Sequence, residues 1–138
     1  MVLQPEEMEL MQACANEYGN RGEYDKMEGV LDGITVLTPD DPCVYASLGF
    51  ARQRQGKWAA AEEAYCRALE LSGGMDTVSA VNLVGVYIAQ GRPDDAIELL
   101  EQVMSSGDRS PEVTEGIDRV KALLDAGTSQ AAEAETDP

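Results

Sequence analysis

Three glycines recur along this chain at nearly equal intervals. Gly22, in NRGEYDKM, is followed 34 residues later by Gly56, in RQGKWAAA, and 35 after that by Gly91, in AQGRPDDA. Aligning them aligns much else. Two residues past each glycine stand Tyr24, Trp58 and Pro93; five past, Met27, Ala61 and Ala96; nine past, Leu31, Tyr65 and Leu100; twelve past, Ile34, Ala68 and Val103. Eight residues before each stand Cys14, Leu48 and Leu83, and four before stand Tyr18, Arg52 and Tyr87. Steps of three and four residues put these side chains on one face of a helix, on both sides of a residue that tolerates the left-handed backbone of a sharp turn. Each unit is therefore a helical hairpin. One such hairpin cannot bury its own apolar face, so neighbouring hairpins must stack.

A helix–turn–helix period of this length, with small residues in the second helix, resembles the tetratricopeptide repeat over roughly residues 8–108. The resemblance implies an all-α, right-handed superhelix of three helical hairpins. Arg52 stands where the repeat usually has an aromatic and Met27 where it has alanine, and the third unit carries a one-residue insertion around LSGGMD. The spacing predicts helices near 5–20, 23–36, 42–55, 58–71, 76–90 and 93–106. Asp40 or Asp41 ahead of Pro42, and Ser110 ahead of Pro111, have the chemistry of helix starts, because a side-chain oxygen satisfies open amides and proline suits the first turn. Gly49, Ala61 and Ala68 are small enough for helix axes to approach closely, with Leu48 and Tyr65 filling the remaining space. Trp58, in one column with Tyr24 and Pro93, is predicted to pack between helices.

A seventh helix over 111–125 carries Val113, Ile117, Val120, Leu123 and Leu124 on one face and is expected to cap the last repeat. The expected organisation is a repeat domain over 1–126, with units at about 8–41, 42–76 and 77–110. An acidic tail, 127–138, follows; it has no large apolar residue and is predicted to be disordered.

The residue types exclude several functions. Lys and Arg number 10 against 26 Asp and Glu, a formal charge of −16. Such a surface gains no counterion release from phosphates, so neither nucleic acid nor an anionic membrane is an expected partner. The absence of histidine removes the commonest general base and metal ligand. Cys14, Cys43 and Cys66 are far apart and form no C-x-x-C, which points to free thiols, expected to be buried, in a reducing compartment. The N-terminus shows no basic segment leading into an apolar run, and no stretch is apolar for long enough to span a bilayer. A cytoplasmic protein is expected.

No catalytic constellation emerges. The pairs Glu6–Glu7, Glu62–Glu63 and Asp94–Asp95 diverge by about 100° on a helix and read as solvated faces or first-turn acids facing the helix dipole. GGMD and GDRS lack the lysine of a phosphate loop. No enzyme activity, cofactor or metal is expected.

What remains is a surface. In stacked hairpins the first helix of each pair lines the concave side, and counting from the packing positions puts Gln12, Asn16, Cys43, Ala46, Phe50, Gln53, Val78, Val81, Asn82, Gly85 and Ile88 on its floor. That floor is apolar or neutral. Phe50, Val78, Val81 and Ile88 are too hydrophobic for a merely solvated face. Asn16, Gln53 and Asn82 could hydrogen-bond the backbone of an extended peptide. The lysines and arginines needed to clamp a C-terminal carboxylate are missing from it.

The stretch from Asn20 to Tyr65, with its LGxxRQxxG phrase at Leu48–Gly56, resembles the translocator-class chaperones of bacterial type III secretion. That resemblance implies a concave groove that holds an extended segment of a hydrophobic client before export, with contacts chiefly at Ala46, Phe50, Val78 and Val81. The alternative is a generic bacterial adaptor or scaffold that binds a folded partner. Client identity and homodimerisation stay open.

Overall fold

The computed structural model describes residues 4–105 together with Pro111, Thr114, Glu115, Asp118, Lys121, Ala122, Asp125 and Ala126. Six helices follow one another: α1 (Pro5–Asn20), α2 (Tyr24–Leu37), α3 (Pro42–Arg54), α4 (Trp58–Leu71), α5 (Thr77–Ala89) and α6 (Pro93–Ser105). They lie within a residue of the spans that the hydrophobic spacing predicts. Each packs on its sequence neighbour, and α3 also touches α5, so the first helices of successive hairpins share one side. The later described positions, from Pro111 on, have helical backbone. Ser110, the apolar face expected of a capping helix and the tail 127–138 lie outside the described residues.

The three spaced glycines have φ of 75°, 75° and 71° and end α1, α3 and α5 in one way. At each, the amide after the glycine donates to the carbonyl five residues back: Glu23 to Tyr18 at 2.9 Å, Lys57 to Arg52 at 3.0 Å, Arg92 to Tyr87 at 2.8 Å. The glycine amide donates three residues back, so two open carbonyls at each helix end are satisfied. Asp41 caps α3, its carboxylate accepting from the Cys43 amide at 3.0 Å. At the start of α5, Asp76 accepts from both the Ser79 amide and the Ser79 hydroxyl.

Close helix approach follows from complementary sizes. A Cβ on Gly49 would lie 2.8 Å from ring carbons of Tyr65, which is fully buried, so the ring packs directly against bare backbone. Met27, where the repeat has alanine, is balanced across the α1–α2 interface by Gly19, whose added Cβ would meet the Met27 sulfur at 2.8 Å. The core runs on from Ala15, Met27, Leu31, Ile34, Val44 and Leu48, through Ala61, Tyr65, Leu83 and Val86, to Val84, Ala96, Leu100 and Val103.

Two ion pairs join the units. Glu28 of α2 accepts from Lys57 at 2.7 Å, and Glu62 of α4 accepts from Arg92 at 2.8 Å. The acids occupy one repeat column and the bases another, so the same contact is built at both interior junctions. Glu62 is thus a structural partner, not the solvated acid the sequence suggested. Arg52, the departure from the aromatic pattern, adds a clasp at the first junction: it donates to Glu28 at 3.1 Å, to the Ala60 carbonyl at 3.0 Å and to Asp32 at 3.3 Å.

Two expectations fail. Cys14, Cys43 and Cys66 are free but exposed, not buried. In each case an adjacent residue takes the inward direction (Ala15, Val44 and Tyr65), and a neighbour one position away on a helix points about 100° elsewhere. Cys14 shares a column with Leu48 and Leu83, but among the described residues no helix precedes α1 to cover it. Trp58 is 37% exposed, not enclosed between helices.

Candidate functional site: a neutral trough on the first-helix side

The concave side holds an open trough of about 570 Å³. Asn16, Gly19 and Asn20 of α1 form one wall, and Tyr24 and Met27 of α2 close its end. Ala46, Ser47 and Phe50 of α3 form the floor, and Val78, Ser79 and Asn82 of α5 form the opposite wall. None of these side chains is charged, in a chain of net charge −16. Phe50 is 40% and Val78 62% exposed, so apolar surface is presented to solvent at its centre. The Phe50 ring is held by an edge-on contact with Tyr24, centroids 5.9 Å apart and planes at 81°.

Five of the residues that the sequence put on this floor line the trough together: Asn16, Ala46, Phe50, Val78 and Asn82. The others do not. Gln53 and Ile88 occupy the column three residues before the glycine, which turns toward the second helix: Gln53 accepts from the Tyr65 hydroxyl at 2.7 Å, and Ile88 packs against the α5–α6 core. Gly85 lies beside Gln53, 3.8 Å from its amide nitrogen to an added Cβ. Val81 and Gln12 are half-buried, and Cys43 is exposed in the first turn of α3; none of these three lines the trough. The sequence reading missed Tyr24, Met27, Gly19, Asn20, Ser47 and Ser79. Tyr24 carried a signal, since an aromatic in the first turn of the second helix stands beside the next unit's first helix, where its ring meets Phe50.

The polar groups of the floor are partly committed. The Ser79 hydroxyl donates to Asp76 at 2.6 Å. The Tyr65 hydroxyl lies between Gln53 and Asn82; burial holds its pKa well above the usual tyrosine range, with the Asn82 contact opposing and the Asp76 charge adding. It stays protonated and acts as a donor. Asn16, at the opposite wall, is exposed.

A second crevice, of about 510 Å³, opens on the outer side between α2 and α4. Its walls include Asp32, Tyr45, Glu63, Arg67 and Glu70, so it is charged where the trough is neutral. Cys66 borders it, and partial burial of the thiol, with Glu62 nearby, raises its pKa although the residue is exposed. Among the described residues no three His, Cys, Asp or Glu side chains are grouped to hold a metal ion, and no helix is long and apolar enough to cross a membrane.

The hairpin period, turn geometry and size complementarity are similar to those of a tetratricopeptide-repeat solenoid, and the tetratricopeptide-repeat family model matches residues 53–115. Several solved structures share the whole architecture. The Yersinia enterocolitica type III secretion chaperone SycD, in complex with a peptide of the translocator YopD, superposes with a TM-score of 0.80 at 20% identity, over 93% of this chain and 97% of SycD. PcrH in complex with the chaperone binding region of PopD gives 0.79 at 18%, over 94% and 96%. The first tetratricopeptide-repeat domain of Spaghetti, bound to an HSP90 peptide, gives 0.74 at 19%, over 88% and 98%. At these identities the likeness establishes the fold. No curated protein matches the chain in sequence.

Proposed function

We propose that this protein is a non-catalytic, cytoplasmic peptide-binding chaperone whose trough holds an extended, partly hydrophobic segment of a client protein, in the manner of type III secretion translocator chaperones. One observation carries the reading: an open, uncharged trough presents Phe50 and Val78 to solvent at the centre of a strongly acidic molecule. Exposed apolar surface of this kind is stabilised when a partner covers it, by about 25 cal/mol per Å² removed from water. The fold-level likeness to SycD, solved with a peptide of the translocator YopD, and to PcrH, solved with the chaperone binding region of PopD, supports the same reading. The acidic exterior keeps a complex with a hydrophobic client dispersed.

Co-expression tests it. A hydrophobic secreted protein encoded beside this one should become soluble with the wild-type chain and with Glu98→Ala, a change on the exposed face of α6. It should stay insoluble with Phe50→Ala. Equal rescue by both variants would move the contact to another surface, the outer crevice first, and favour an adaptor that binds a folded partner.

A further inference from the structure

Arg54 stands apart from every other basic side chain between Gln4 and Ser105. Arg21, Lys26, Arg52, Lys57, Arg67 and Arg92 all pair with carboxylates. Arg54 forms no ion pair among the described residues, although acids outnumber bases by 26 to 10 in the chain. It lies one helical turn beyond Phe50 on α3, and its guanidinium carbon is 5.3 Å from the centroid of the Tyr24 ring. Tyr24 is in turn edge-on to Phe50. Phe50, Tyr24 and Arg54 thus form a continuous series from the trough floor to its rim.

We infer that the trough selects an extended segment in which an acidic side chain flanks the apolar residue seated on Phe50, with Arg54 receiving that carboxylate. The inference rests on the groove reading above. A guanidinium packed on a ring uses its face and leaves the in-plane N–H fork free, the geometry that bonds a carboxylate through two parallel contacts. The ring also limits the rotamers of Arg54, so less freedom is lost on pairing. The trough lining contributes no competing carboxylate. The acidic exterior acts against an incoming acid, but its charges are screened over about 10 Å at 0.1 M salt, whereas a direct pair is screened much less.

The probe is a set of fluorescein-labelled nonapeptides, amidated at the C-terminus, with two leucines on an alanine–serine background. One variable residue (Glu, Gln or Lys) is walked through the sequence, and affinity is read by fluorescence anisotropy. Glu should bind about three- to ten-fold tighter than Gln in one register, the range of an exposed to partly desolvated ion pair. Arg54→Gln should erase the difference, and Arg54→Glu should transfer the preference to Lys in the same register. Raising salt should not abolish the Glu preference, since the acidic field that opposes it is screened first. Binding that ignores the variable residue would overturn the inference and leave the groove reading intact. A preference for Lys by the wild-type protein would overturn it in favour of the outer field. Failure of every peptide to bind would overturn both. Circular dichroism of the Arg54 variants should match wild type, because the side chain is exposed and only stacks on Tyr24.

Discussion

Replacing Gly49 by alanine tests the close packing that shapes the trough. In most exposed helix positions Gly→Ala stabilises by about 1 kcal/mol, because alanine loses less backbone freedom on folding. At Gly49 the added methyl carbon would lie 2.8 Å from Cδ1 and Cε1 of Tyr65 and 3.0 Å from Cγ. Carbon atoms rest at about 3.5–4.0 Å, so the ring or the helix must move by more than half an ångström. The ring has little freedom to do so, being fully buried with its hydroxyl bonded to Gln53 at 2.7 Å. Overpacking of this kind costs about 1–3 kcal/mol, which leaves Gly49→Ala between neutral and about 2 kcal/mol less stable than wild type. Gly33 of α2 is exposed with nothing within 4 Å of an added Cβ, so Gly33→Ala shows the propensity gain alone. The gap between the two variants is then the packing cost, about 1–3 kcal/mol. Urea unfolding followed by far-ultraviolet circular dichroism measures both. Equal stabilisation by the two changes would refute the close contact of α3 with the Tyr65 ring.

Three further outcomes follow from named contacts. Burial alone would raise the Glu28 pKa, but bonds from Lys57, Gln55 and Arg52 outweigh it and hold the group below the ordinary 4.5. A folded-state pKa below the unfolded one contributes stability that is complete above about pH 4.5 and lost as pH falls through the lower, folded value; the advantage of wild type over Glu28→Gln in urea should therefore shrink on acidification below pH 4.5, and an advantage unchanged to pH 2 would contradict it. All three cysteines should react with a thiol reagent in the native state, Cys66 most slowly because partial burial of its thiol and Glu62 raise its pKa; a native protein with fewer than three accessible thiols would contradict the described exposure. A double-mutant cycle on Glu62 and Arg92 should give a coupling of about 0.3–1 kcal/mol, as expected of a half-exposed pair, and a cycle with no coupling would remove the inter-unit staple.

The helices and turns were legible because one local property, the left-handed turn at a spaced glycine, repeats three times and sets the register of everything between. The contact of Gly49 with Tyr65 was legible too, since small and large residues stood in complementary columns. The inter-unit staples were legible in principle. Lys57 and Arg92 both directly follow their glycine, and Glu28 and Glu62 both stand six past theirs, so each acid column meets the base column of the next unit. What the columns do not reveal is which side of a helix its neighbours leave open. That depends on tertiary packing, so Cys14, Cys43 and Cys66 went to the wrong side, and Gln53 and Ile88, one turn along from Gly49 and Val84, face the second helix and not the trough. Local spacing was enough for Ala46 and Phe50 on the floor and for Asn16, Val78 and Asn82 on the two walls.

The occupancy of the trough is tested most directly by ¹⁵N chemical-shift mapping of the intact protein against its client segment. The account expects the largest shifts at Asn16, Ala46, Phe50, Val78 and Asn82, with Asp32, Tyr45 and Arg67 of the outer crevice unmoved. Shifts confined to the outer crevice, with the amides around Phe50 unchanged, would contradict it.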